Sequence, residues 1–165
     1  MYVHFDIETF DNDLMPTRYQ GTADEVLALD TFIKLSRSVN AVQAQLIPAL
    51  QKDFGLTESQ FAVLEALHHL GPLSQGQLCG KILRSGSNVT TVVDNLERDR
   101  LVTRERDQVD RRVQIVQLTD EGRARVTEAL PVHVSRITKA LGSLTSEEQH
   151  ALGRICRKLG TAVVT

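Results

Sequence analysis

Apolar residues recur at helical spacing in four stretches of the chain. These stretches begin at Thr22, Thr57, Thr119 and Thr145. Apolar positions three or four residues apart lie on one face of a helix. In all but the third stretch, a Glu or Gln three residues after the threonine completes a capping box, which marks the start of a helix. The pattern predicts four helices, with the first ended or kinked at Pro48 and the third bent at Pro131.

The middle of the chain has shorter elements. Residues 74–83 have the pattern of a short helix, and Ser85 is placed to cap a second one. The buried face of this second helix is predicted to consist of Val89, Val92, Val93 and Leu96. Residues 102–107 and 113–115 then alternate with period two around a polar link, which predicts a hairpin. Two short helices followed by a hairpin form a winged helix-turn-helix, so the predicted fold is mainly α with a small β-wing.

The second short helix presents polar residues on the side away from its valines. Ser87 and Thr91 lie opposite the valines, and Asn88 and Thr90 lie on the shoulders of this face. No charged residue lies between Ser85 and Val93. Short hydroxyl and amide groups suit close approach to base edges, where Asn can bridge adenine and Thr can meet a thymine methyl. The alternative is that these groups only solvate a surface helix. Behind them, Asp94 and Arg98 are predicted to form an ion pair four residues apart.

The predicted hairpin carries a concentration of arginines. Arg104 and Arg106 share one face of its first strand, and Asp110-Arg111-Arg112 lies at its tip. An arginine on a thin exposed hairpin can enter a minor groove, and an adjacent aspartate can hold the guanidinium in a fixed pose. The alternative is a solvated turn with weak local ion pairs.

The charge balance does not argue against a polyanion as partner. The chain has 19 basic and 21 acidic residues, a net charge of −2, but residues 1–30 hold seven acidic groups and one basic group. The rest of the chain is therefore positive overall, and binding depends on which face carries the cations. No stretch approaches the ~20 apolar residues of a membrane span, and no secretory signal is visible. We expect a cytoplasmic protein with no membrane partner.

The sequence offers little for catalysis or metal binding. It has no C-x-x-C or H-x-x-x-H spacing. The adjacent His68 and His69 would point about 100° apart on a helix and cannot both face one ion. No nucleophile with a partner base and no glycine-rich phosphate loop is present. We expect no metal, no cofactor and no enzymatic activity. Cys79 and Cys156 are expected to be buried, inert small hydrophobes.

Specific motifs lie in three segments of the chain: Leu56–Leu64, Leu78–Leu101 and Val102–Arg123. These segments resemble the MarR family of bacterial transcription regulators. The likeness spans roughly residues 56–125. It implies a homodimer that reads a pseudo-palindrome in double-stranded DNA, more often as a repressor than as an activator. The implied parts are an N-terminal arm (1–21), an N-terminal dimerisation helix (22–55), the winged helix-turn-helix (56–118) and C-terminal dimerisation helices (119–165).

The resemblance also implies roles for the polar helix face and the hairpin tip. Residues 85–91 would enter the major groove, and Arg112, held by Asp110, would enter the minor groove. The expected DNA contacts are Arg84, Ser85, Ser87, Asn88, Thr90, Thr91, Arg104, Arg106, Asp110, Arg111 and Arg112. The family commonly has a left-handed glycine where this chain has Arg100. Because a non-glycine residue is strained there, the turn is expected to be reshaped.

Family members often respond to aromatic acids or to cysteine oxidation. The resemblance therefore implies a small aromatic or anionic effector, for which His68 and Arg37 are the candidate partners. The alternative is that both residues are structural. Two other functions stay open: a dimeric winged-helix module that binds proteins without sequence-specific DNA binding, and a redox-responsive regulator that acts through Cys79.

Overall fold

The structure, a computed structural model, describes residues 18–82 and 86–163, with only the backbone for residues 86–88 and 163. The described residues form six helices and three strands. In chain order these are α1 (Ala23–Phe54), α2 (Glu58–Leu70), β1 (Leu73–Ser74), α3 (Gln75–Ile82), α4 (Gly86–Arg98), β2 (Val102–Arg106), β3 (Gln114–Leu118), α5 (Asp120–Ala140) and α6 (Ser146–Val163). The predicted fold class is confirmed. Most of the expected N-terminal arm lies outside the described residues. The chain divides into two compact units at a boundary within α1, between Ala41 and Val42.

The first helix, α1, continues past its proline. Its start is capped as predicted, because the Thr22 N–H donates to the Glu25 carboxylate at 2.8 Å and the Glu25 N–H donates to the Thr22 hydroxyl at 3.3 Å. Of the two alternatives expected at Pro48, an end or a kink of the helix, the end is excluded, since α1 runs on to Phe54. A proline removes one backbone donor and leaves the other hydrogen bonds of the helix in place. The helix ends before Gly55, whose φ of 66° suits glycine.

Reciprocal capping boxes begin three more helices. Two of them, at α2 and α6, are the ones predicted. The third, at α3, was not recognised in the sequence, although Ser74 stands three residues before a glutamine, as the motif requires. The residue pairs are Thr57 with Gln60, Ser74 with Gln77 and Thr145 with Glu148, with distances from 2.8 to 3.3 Å.

The wing belongs to a three-stranded sheet instead of the predicted two-stranded hairpin. β2 and β3 pair as expected, with Val102 opposite Leu118 and Arg106 opposite Gln114. β1 pairs with the other edge of β3, which gives the strand order β1-β3-β2. The sequence could not reveal β1, because two residues are too few for an alternating pattern. β1 ties the chain just before α3 to the sheet that carries the wing.

The hydrophobic core lies in the second unit, where α2, α4, α5 and β3 meet. The predicted apolar face of α4 is confirmed, since Val89, Val92, Val93 and Leu96 are all buried. α2 contributes Phe61, Val63, Leu64 and Leu67 to the same core. The outer side of α4 is thereby turned away from the protein interior.

In the single chain, α6 is exposed along nearly its whole length. Leu152, Ile155 and Leu159 are 42–60% exposed, and Cys156 beside them is also exposed. These four residues form one apolar stripe, called here the α6 face. The expectation that Cys156 is buried is therefore wrong for the single chain. Cys79, in contrast, is half-buried against the core.

A left-handed turn at Arg100 ends α4. The φ of Arg100 is 59°, so the turn keeps the left-handed form and the expectation of a reshaped turn is wrong. The Arg100 N–H donates to the Glu97 carbonyl at 3.0 Å, and the Leu101 N–H donates to the Leu96 carbonyl at 2.8 Å. These bonds satisfy the last carbonyls of the helix. A non-glycine residue in this conformation carries a strain of about 1–2 kcal/mol.

Leu101 joins α4, the sheet and α5 through its backbone. Its carbonyl accepts the Thr119 N–H at 3.1 Å. The Thr119 hydroxyl donates to the Arg100 carbonyl at 2.7 Å and accepts the Gly122 N–H at 2.9 Å. A Cβ at Gly122 would lie 1.9 Å from the Leu101 carbonyl oxygen. Only glycine allows α5 to start this close to the base of the wing.

We predict that Gly122→Ala lowers the free energy of unfolding by about 1–3 kcal/mol, because α5 must move away from Leu101 to relieve the overlap. Gly153→Ala is the matched control, since its Cβ would meet nothing within 4 Å. Alanine inside a helix is favoured over glycine by about 0.5–1 kcal/mol, so the control should gain stability. Urea unfolding measures the free energy of unfolding of both variants. A Gly122→Ala protein as stable as the wild type would contradict the prediction.

We predict that Arg100→Gly raises the free energy of unfolding by about 0.5–1 kcal/mol. Relief of the left-handed strain, about 1–2 kcal/mol, outweighs the greater chain entropy that glycine loses on folding, about 0.5–1 kcal/mol. Arg100→Ala keeps the strain and should bring no such gain. The comparison is again made by urea unfolding, and an alanine variant as stable as the glycine variant would rule out strain as the cause.

Candidate nucleic-acid interface

The outer side of α4 carries two of the predicted polar residues. Thr90 and Thr91 are exposed, on the side away from the buried valines. Ser87 and Asn88 belong to the backbone of α4, but their side chains are not among the parts that the structure describes. Arg84 and Ser85 lie outside the described residues. The position of α4 is therefore known, whereas most of the expected contacts at its start stay predictions.

The wing tip is folded by Asp107, a role that the sequence analysis missed. One oxygen of its carboxylate accepts the N–H groups of Val109 and Asp110 at 2.9 and 2.8 Å. The backbone closes the tip, because the Asp107 N–H donates to the Val113 carbonyl at 3.0 Å. An aspartate that accepts a backbone N–H two residues later forms an Asx turn. The spacing of Asp107 and Val109 was a usable signal for this turn.

At the tip, Asp110 holds Arg112 in one orientation. The Arg112 Nε donates to Asp110 Oδ1 at 3.1 Å, and its Nη2 donates to Oδ2 at 3.2 Å. The backbone N–H of Arg112 also donates to Asp110 Oδ1, at 3.1 Å. These side-chain and backbone hydrogen bonds from Arg112 lower the pKa of Asp110. The Arg112 side chain is nevertheless 92% exposed, so its guanidinium is oriented and open to solvent.

Two more arginines lie close to the tip. Arg106 and Arg111 are both exposed, and they line one shallow depression together with Asp107 and Gln108. Glu105, which precedes Arg106 in the chain and lies on the strand's other face, accepts a hydrogen bond from Gln117 Nε2 at 2.8 Å. The wing therefore presents several cations outward, while the neighbouring acid is engaged within the sheet.

Arg104 is placed differently from the other wing arginines. Its Nη2 donates to Asp94 Oδ1 at 2.5 Å, and its Nη1 donates to Glu97 Oε2 at 3.0 Å. Its side chain is only 19% exposed. The predicted pair of Asp94 with Arg98 is replaced by this contact, and Arg98 instead approaches Asp99 at 3.4 Å. The guanidinium of Arg104 thus faces α4 and not the open side of the wing.

The two effector candidates lie in different units of the chain. Arg37 is exposed on α1 in the first unit. His68 is half-buried on α2 in the second unit, and its ring meets that of His69 edge-on with centroids 5.2 Å apart. The Nδ1 atom of His68 is buried and has no hydrogen-bond partner among the described residues. The assignment of either residue to a ligand stays a prediction.

A second half-buried imidazole was not predicted from the sequence. His133 of α5 packs against Phe61 of α2 with ring centroids 4.8 Å apart. Burial is the main cause that lowers the pKa of His133; Glu65 opposes the shift, Arg136 adds to it and Glu58 opposes it. The sequence position of His133 carried a usable signal, because it lies three residues after Leu130 and four before Ile137, the spacing of the apolar face of α5.

Within residues 18–82 and 86–163, no group of three His, Cys, Asp or Glu side chains is arranged to hold a metal ion. None of the helices in this part of the chain has the length and apolar character needed to cross a membrane.

Comparison with known proteins agrees with the geometry. A family model described as the MarR family matches residues 54–113. The transcriptional regulator MhqR of Bacillus subtilis is 32% identical over 133 residues, which cover 81% of this chain and 91% of that protein. The transcriptional repressor MdtR of the same organism is 30% identical over 144 residues, which cover 87% and 92%.

Two solved structures are similar over most of their length. Sco3205 of Streptomyces coelicolor, a MarR-family regulator in complex with DNA, is 28% identical with a TM-score of 0.77, covering 87% of this chain and 94% of that one. BpsR of Bordetella bronchiseptica, whose DNA binding is regulated by 6-hydroxynicotinic acid, is 30% identical with a TM-score of 0.70, covering 79% and 98%. The chain belongs to the MarR family of transcriptional regulators.

Proposed function

We propose that this regulator binds a pseudo-palindromic operator in double-stranded DNA as a homodimer, acts as a repressor and is released by a small effector. The observation that supports DNA binding is the orientation of the Arg112 side chain. Its guanidinium is held by two hydrogen bonds to Asp110 and is still 92% exposed. A fixed, exposed arginine on a thin wing has the geometry for insertion into a minor groove.

The proposed major-groove contacts come from the start of α4. Thr90 and Thr91 are exposed there, and Arg84, Ser85, Ser87 and Asn88 precede them in the chain. Hydroxyl and amide groups can read base edges, whereas arginines near the phosphates add affinity without sequence information. On the wing, Arg106 and Arg111 are placed for phosphate contacts beside Arg112.

The proposed homodimer forms through the apolar faces of the flanking helices. The α6 face leaves Leu152, Ile155 and Leu159 uncovered in the single chain. In the first unit, taken by itself, α1 likewise exposes Leu27, Phe32 and Val39. Most helical stability in proteins comes from packing of an apolar face. A second copy of the chain would cover the α6 face and would set two α4 helices on successive turns of DNA, about 34 Å apart.

The proposed effector is a small aromatic or anionic molecule. One support is BpsR, whose DNA binding is regulated by 6-hydroxynicotinic acid, an aromatic acid. Another is the half-buried His68, whose Nδ1 has no hydrogen-bond partner among the described residues. Such a molecule weakens DNA binding only to the extent that it binds the DNA-incompetent state more tightly. To release the DNA, the effector would have to change the distance between the two α4 helices of the dimer.

The test of DNA binding begins with selection of bound duplexes from a random pool by the purified protein. We expect an inverted repeat, with an affinity that falls steeply with salt as phosphate contacts release counterions. Arg112→Ala should weaken binding to the selected duplex by about 10- to 100-fold, the usual cost of one specific contact. Lys139→Ala at the far end of α5 removes the same charge as a control and should change binding little.

A protein-interaction module with the same fold would give a different result. It would recover no repeat, its affinity for DNA would respond weakly to salt, and Arg112→Ala would bind like Lys139→Ala. Fluorescence anisotropy over a range of salt concentrations measures the wild type and the two variants on one labelled duplex.

The dimer is tested by a charge on the α6 face. Ile155→Glu places a carboxylate among apolar residues and should convert a dimer, with twice the 18.3 kDa mass of the chain, into a monomer. Arg154→Glu is the control, because position 154 lies nearly opposite the α6 face on the helix. Light scattering after gel filtration gives the mass. A dimeric Ile155→Glu protein, or a monomeric wild type, would contradict an interface on this face.

A further inference from the structure

A three-residue ion cluster connects the wing to α4. Arg104 lies in the middle of β2, opposite Val116 of β3. From there its guanidinium reaches Asp94 at 2.5 Å and Glu97 at 3.0 Å, one turn apart on α4. A planar guanidinium can bind two carboxylates at once with fixed geometry, which an ammonium group cannot do as well. Because the Arg104 side chain is only 19% exposed, water screens the pairs less than on an open surface.

The cluster also accounts for the acidic residues of α4. Asp94 and Glu97 are its two acidic side chains. On a helix that approaches DNA, free carboxylates would repel the phosphates. Arg104 offsets one of these two negative charges, binds both carboxylates and at the same time fixes the direction in which β2 leaves the helix.

We propose that Arg104 is a positioning residue for DNA binding and not a phosphate contact. This inference rests on the proposed DNA-binding function. In this role, the contact of Arg104 with Asp94 and Glu97 holds the wing at a fixed angle to α4. With that angle fixed, binding of α4 in the major groove brings Arg112 to the minor groove at a high effective concentration.

The decisive experiment removes the two carboxylates and leaves Arg104 in place. Simple electrostatics predicts that Asp94→Asn/Glu97→Gln binds DNA more tightly, because two negative charges near the phosphates are lost. The positioning role predicts the opposite, a loss of about fivefold or more, since the wing is released from α4. Glu105→Gln is the matched control, because it removes a carboxylate from β2 that binds Gln117 and not Arg104; it should bind as tightly as the wild type or more tightly.

The salt dependence of binding separates the two roles of Arg104 itself. Arg104→Met should weaken binding while the slope of log affinity against log salt stays that of the wild type. Loss of a true phosphate contact would reduce that slope by about 0.9. Arg104→Lys retains the charge and should recover part of the affinity, because an ammonium can still pair with one of the two carboxylates. Hydroxyl-radical footprinting, which reads the deoxyribose hydrogens of the minor groove, should show weaker protection in Arg104→Met. Protection of guanine N7 from dimethyl sulfate should show that the major-groove contacts are retained.

The outcomes separate failure of this inference from failure of the proposed function. A wild-type protein that selects no duplex would overturn the proposed function. A wild type that binds DNA, together with tighter binding by Asp94→Asn/Glu97→Gln or a reduced salt slope in Arg104→Met, would overturn the positioning role alone. Circular dichroism and urea unfolding of each variant verify that the compared proteins are folded.

Discussion

The backbone of Leu101 is the point on which the arrangement of the winged domain depends. Its N–H closes the end of α4 on the Leu96 carbonyl, and its carbonyl accepts the Thr119 N–H at the start of α5. The next residue begins β2. Gly122 lets α5 approach this carbonyl without a side chain in between. Three elements therefore share one peptide segment, so a shift of any of them moves the wing relative to α4.

Local chemistry explains what the sequence predicted well. Capping boxes and helical spacing depend on residues within one turn of each other, and the structure confirms them, as at Thr57 and Gln60. The valine face of α4 was equally predictable, because the period of a helix fixes which residues share a side. β1 and the course of α1 past Pro48 depended on more distant contacts. A two-residue strand forms only because the edge of β3 provides backbone partners for it. A long helix can continue past a proline when its other backbone hydrogen bonds are kept.

The candidate interface likewise has features that the sequence could predict and features that it could not. The contact between Asp110 and Arg112 joins residues two apart and could be proposed from their spacing. The direction of Arg104 could not, because alternation along a strand tells which face a side chain takes and not what lies beyond that face. Its partners Asp94 and Glu97 belong to another element. Arg100 was misjudged for a different reason: local strain of about 1–2 kcal/mol is tolerable where the surrounding hydrogen bonds fix the turn.

The uncovered α6 face has a consequence for how such a regulator would respond to its own abundance. In the proposed dimer, the α6 face of each chain is covered only when two chains associate. The concentration of the dimer, which binds both half-sites of an operator, therefore follows mass action. While most chains are separate, the amount of that species rises with about the second power of chain concentration. The fraction of operator sites occupied would then rise more steeply than the total concentration of the chain. This gives a concentration threshold for DNA binding that needs no ligand.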